Sequence, residues 1–180
     1  MKRRWQLGQL IGVEIWFRLN SLLLSGLLWL LFSLAAYVWL GFSLGQAIFV
    51  GGTAVFLHWL GDTLHHLGHA LAARQVGYPM QKIISWYVLM SSVYPKDEPP
   101  LHATLHIKRA LGGPAVSLLL ALVAGALLLF VPKDGSVAHA LVAFAFWENL
   151  LVFFLGAFLP LGFTDGSTII TWWPRRHEPI

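Results

Sequence analysis

His65 and His69 stand four residues apart in the stretch Leu64-His65-His66-Leu67-Gly68-His69-Ala70. On a helix that spacing stacks two imidazoles on one face, where they can hold a single metal ion. Hydrolysis at such a centre needs a carboxylate beside the first histidine, to take a proton from metal-bound water. His66 occupies that place. The spacing therefore predicts a metal-binding pair without its usual base.

Further polar groups surround the pair. At ~100° per residue, His58, Asp62, His65 and His69 share a narrow sector of one helix, and His66 points well to one side. Asp62, one turn before His65, is placed to accept a hydrogen bond from a ligand histidine and to hold His58 or His65 in one tautomer. His102 and His106 are also four apart. A loop before them and Lys108-Arg109 after them suggest a surface or supporting role. Glu148-Asn149 interrupts an apolar run, where a carboxylate is costly unless protonated or paired. On an unbroken helix Glu148 would lie ~25 Å from Asp165, too far to replace the base. His58 and His139 are candidates for axial ligation of a haem or chlorophyll-type pigment.

The elements that position these groups are membrane spans. The chain is 57% hydrophobic and 11% charged, and its apolar residues are gathered in runs long enough to cross a bilayer. A signal peptide does not account for the first run, because three more follow. Nor does the net charge of +4 call for nucleic acid. Excess positive charge on one side of a membrane explains it. With no cysteine, a metal would rest on nitrogen and oxygen ligands.

Residues 1–18, with Lys2-Arg3-Arg4 and interleaved aromatics, read as an interfacial segment, a short strand or a re-entrant piece being the alternative. Residues 19–170 form a four-helix transmembrane domain. Its spans are Leu19 to Leu40, Leu44 to Arg74, Ala110 to Val131 and Val137 to Leu159. Between the second and third spans, Ile83 to Tyr94 is rich in strand-favouring residues and predicts a short hairpin at the membrane surface. Residues 171–180 are a basic cytoplasmic tail. The fold class expected is thus an all-α membrane protein with one surface hairpin. Of the 12 lysines and arginines, only Lys133 falls on the far side of this topology, which places both termini in the cytoplasm. It also brings His65, His69 and Asp165 to a similar depth.

Three landmarks in this order resemble the site-2 protease family of intramembrane zinc metalloproteases, in its compact bacterial type. That family's His-Glu-x-x-His motif corresponds to His65-His66-Leu67-Gly68-His69. Its Gly-Pro-x-x-Asn motif corresponds to Gly113-Pro114-Ala115-Val116-Ser117. Its Asn-Leu-Leu-Pro and Leu-Asp-Gly segments correspond to Ala157-Phe158-Leu159-Pro160 and Thr164-Asp165-Gly166. The resemblance implies a site-2-protease-like core in a bacterial inner membrane, with His65, His69 and Asp165 as zinc ligands. The departures are His66 for the catalytic glutamate, and Ser117 and Ala157 for two substrate-handling asparagines.

These departures point to a degenerate, non-catalytic member that serves other integral membrane proteins as a structural or regulatory subunit. The nine tryptophans suit a membrane-interface belt. Whether the cluster holds zinc, or its polar groups bond among themselves, stays open at this level. An active protease with atypical water activation and a pigment-associated subunit are the alternatives.

Overall fold

The computed structural model describes residues 3–178; Met1, Lys2, Pro179 and Ile180 lie outside the described residues. In chain order the elements are β1 (Arg4–Leu10), β2 (Val13–Arg18), α1 (Leu19–Val38), α2 (Leu44–Gln75), β3 (Lys82–Trp86), β4 (Leu89–Val93), α3 (Ala103–Leu127), α4 (Val137–Trp147) and α5 (Asp165–Trp172). A π-helical stretch, Glu148–Leu155, and a 3-10 turn, Gly156–Phe158, extend α4. Four helices are long and apolar enough to cross a membrane: Leu19–Val38, Leu44–Gln75, Ala103–Leu127 and Val137–Phe158. The protein is a multi-pass integral membrane protein with a short hairpin between its second and third spans.

The sheet is larger than the hairpin alone. Residues 4–18 form two of its four strands, in the order β1-β2-β3-β4. The strand alternative for the chain's opening is therefore the one observed. β2 joins β3 in parallel, with α1 and α2 as the crossover, and the other pairs are antiparallel. Val13, Ile83 and Met90 pack with Ala70 and Ala73 of α2, so one sheet face rests on the last turns of that helix.

α2 has well-defined ends. Ser43 and Gln46 form a capping box at its start. At its finish Gly77, at φ +85°, lets Tyr78 N–H reach Ala73 C=O and Gly77 N–H reach Arg74 C=O. Its 32 residues would measure ~48 Å, well beyond a ~30 Å hydrocarbon core. The length lets the polar half of the helix sit within protein.

α2 and α3 meet backbone to backbone. A Cβ on Gly68 would lie 2.3 Å from the Gly112 carbonyl oxygen, and one on Gly112 would lie 2.4 Å from that of Gly68. Small residues let membrane helices approach so closely. The next residue on each helix, His69 and Gly113, then face one another across the crossing.

Candidate metal centre

His65, His69 and Asp165 converge. The two Nε2 atoms are 3.1 Å apart, and each lies 3.3 Å from a carboxylate oxygen of Asp165, Oδ2 for His65 and Oδ1 for His69. A tetrahedral zinc site with bonds of 2.0–2.1 Å has ligand–ligand edges of roughly 3.3 Å. One ligand atom from each residue can meet a shared ion, since these atoms lie within 4.8 Å of one another.

The surroundings hold these groups in ligating form. His69 Nδ1 faces the Arg109 carbonyl oxygen at 2.8 Å. That oxygen can only accept, so Nδ1 carries the hydrogen and Nε2 keeps its lone pair. His65 Nδ1 pairs with Ser117 Oγ at 2.8 Å. Burial pushes the Asp165 carboxyl up, but the hydrogen bonds and charges of His65 and His69 outweigh it and hold the group at about 2. Gly113 supplies the space. A Cβ there would stand 2.3 Å from His69 Nε2 and 2.4 Å from His65 Nε2, where a shared ion would meet them. The two nitrogens and the carboxylate oxygen suit zinc, and the cluster could coordinate such an ion.

Asp165 reaches this point because the fourth span ends early. After the 3-10 turn the chain breaks at Pro160, turns at Gly162 (φ +86°), and starts α5 with Asp165 in its first turn. The centre opens on two clefts. One, of about 430 Å³, is walled by Trp86, Tyr94, Arg109 and Trp172. The other, of about 390 Å³, lies between β4 and the π-helical end of the fourth span.

His66 points elsewhere. Its Nδ1 is 2.9 Å from Ser92 Oγ and its Nε2 is 3.5 Å from Asp62 Oδ1. Asp62 also accepts a hydrogen bond from the Met90 backbone N–H. The expectation that Asp62 supports His58 or His65 is thus corrected, because its partners are His66 and strand β4. The shared helix sector misled because four-residue rows climb a helix at an angle. His58, Asp62 and His66 therefore drift toward the strand, and His65 and His69 stay under α3.

His58 is corrected likewise. Its Nε2 lies 2.6 Å from the Val88 carbonyl oxygen, and its Nδ1 lies 2.7 Å from Glu148 Oε1. Neither ring nitrogen is left for a pigment. Among the described residues His58 makes no hydrogen bond to His65 or His69. Since the Val88 oxygen can only accept, Nε2 is protonated, and Nδ1 and Glu148 share one further proton. The pairing answers the cost of a carboxylate within the fourth span. The π-helical stretch turns Glu148 and Phe153, five residues apart, onto α2 together; both are buried. Glu148→Ala should lower stability in detergent by about 2 kcal/mol, because it strands a buried ring nitrogen. A melting temperature equal to wild type would refute the pairing.

The remaining histidines lie outside the cluster. His102 caps α3 and pairs with Thr104 Oγ1 at 2.8 Å. His106 stacks on Trp172 with ring centres 4.1 Å apart. His139 occupies the first turn of α4, and its Nδ1 has no partner among the described residues. Nothing in the sequence marked the contributions of Ser92, the Arg109 carbonyl and the Val88 carbonyl. The sequence presents Ser117 as a lost amide, whereas Ser117 orients His65. Only the Gly112-Gly113 pair left a sequence signal, as a small-residue step.

Fold and cluster together define a polytopic membrane protein with a potential metal-binding triad at the foot of a cleft. Among solved structures the chain is similar to the Site-2 Protease from Methanocaldococcus jannaschii, with a TM-score of 0.66 at 16% sequence identity. The match covers 98% of this chain and 74% of that one. At that identity the likeness shows the fold. The sequence matches no family model and no curated protein.

Proposed function

We propose that this protein is a non-hydrolytic, metal-holding membrane protein of site-2-protease-like fold, serving as a structural or regulatory subunit for other integral membrane proteins. The observation that carries the reading is the direction of His66. In the resembling family this position supplies the base, and here its imidazole is turned onto Asp62 and Ser92. Asp62 is already engaged by the Met90 N–H, and Asp165 faces His65 and His69. No other carboxylate lines the apolar cleft among the described residues, and Glu98, which lines the other cleft, is paired with Arg109 Nη1 at 2.9 Å.

His65, His69 and Asp165 would hold the ion, with Ser117 and the Arg109 carbonyl fixing the rings. Bound zinc would supply positive charge that offsets Asp165 within the membrane. The distribution of lysine and arginine supports cytoplasmic termini, and with them a centre near the cytoplasmic face.

A second reading has its own observation. The His66–Asp62 pair could act together as an atypical base, which would make the protein an active intramembrane protease. Purified protein in bilayers, assayed with transmembrane peptides, separates the two. The non-hydrolytic reading expects about one zinc per chain, below about a tenth in His65→Ala, and no cleavage by either protein. Cleavage by wild type that disappears in both His65→Ala and His66→Ala would overturn it in favour of the second reading.

A further inference from the structure

Three residues of α2, spaced by four, meet alternate residues of β4 and the turn before it. His58 takes the Val88 carbonyl, Asp62 takes the Met90 N–H, and His66 takes the Ser92 hydroxyl. The spacings match physically. Four helical residues rise ~6 Å. Two strand residues rise ~6.6 Å. A strand laid along one four-residue row of a helix therefore stays in step with it for two repeats.

Among the described residues β4 is an edge strand, paired with β3 alone. Its Val93 carbonyl faces inward, accepting from Gln81 N–H. Residues 88, 90 and 92 therefore turn their backbone groups away from the sheet. An edge of this kind is normally left to water or to another strand. Here helix side chains take the Met90 N–H, the carbonyl of the preceding turn at Val88 and the Ser92 hydroxyl inside the protein.

His58 does more than its neighbours. One ring nitrogen binds the turn before β4, and the other binds Glu148 on the π-helical stretch. β4, which follows that turn, and the π-helical stretch both line the apolar cleft, together with α2 and the triad. A single imidazole thus clasps both walls, about two helical turns from His65.

We propose that β3–β4 is a strap forming one wall of the cleft beside the triad, fastened to α2 by the row His58, Asp62 and His66. The row acts as a clasp that must release before an extended segment can enter between the walls. On this view residue 66 serves as a fastening of the strap. The proposal rests on the packing of α2, β4 and the fourth span, and is independent of whether zinc is bound.

The chain contains no cysteine, so Leu89→Cys gives a single reporter on the strap wall of the cleft. The full-length protein in bilayers is labelled with a water-soluble maleimide, with and without a zinc chelator. Asp62→Leu and His66→Leu should each raise the labelling rate about tenfold, the opening expected for one lost buried hydrogen bond. Asp62→Asn keeps an acceptor for the Met90 N–H and should leave the rate near wild type. Thr63→Ala, off the row, should do the same. Equal rates in both leucine variants and wild type would overturn the strap. If the leucine variants do not fold, hydrogen exchange on the unaltered protein decides. The Met90 amide should exchange as slowly as the paired amides of β3, and exchange at the rate of the exposed β1 edge overturns the proposal. A chelator that strips zinc without changing either readout leaves the strap standing, so its failure and that of the metal reading are distinct results.

Discussion

Gly113→Ala is expected to reduce zinc retention from about one equivalent per chain to less than about a tenth, with the helices still formed. The added methyl carbon would lie 2.3 and 2.4 Å from the two Nε2 atoms. It would occupy the ground where the ligand atoms converge. The rings cannot simply turn aside, because Ser117 and the Arg109 carbonyl hold their Nδ1 atoms. Alanine favours a helix interior over glycine by ~1 kcal/mol, so helix α3 itself should not suffer. Metal analysis of the purified variant, beside its circular dichroism spectrum, checks the result. A fully loaded, normally folded Gly113→Ala protein would show that the ion sits elsewhere.

Gly68→Val should destabilise the membrane domain by ~4 kcal/mol or more. Here the obstacle is backbone. The new Cβ would meet the Gly112 carbonyl oxygen at 2.3 Å and the Val116 side chain at 2.8 Å. A flexible side chain could yield, but a helix axis must move as a body. Separating α2 from α3 would also draw His69 away from the Arg109 carbonyl, so metal and stability should fall together. Thermal melting in detergent and metal content are the paired measurements. A variant that loses neither would contradict the close crossing.

These two glycines also mark how far the sequence could be read. Hydrophobic runs dictate four spans, because the bilayer leaves apolar segments of that length little else to do. The alternation and β-branching of Ile83 to Tyr94 mark strands. The strand role of Arg4 to Arg18 was legible only as an alternative, since an aromatic, basic segment suits an interface equally well. The histidine spacing marks two imidazoles that can share a metal ion.

The sequence does not determine which neighbours each polar residue meets. His58, Asp62, His65 and His69 look alike by helical angle, and only the crossing of α3 and the course of β4 divide them into two rows. One row faces Asp165, which arrives from almost a hundred residues away, and the other faces the strap. Local spacing is set by bonds along one helix, so sequence alone determined the spans, the hairpin and the imidazole pair. Contacts between helices depend on crossing angles and on where a distant span breaks. Tertiary structure alone therefore decided that His66 faces Asp62 and Ser92, and that His58 is tied to Glu148.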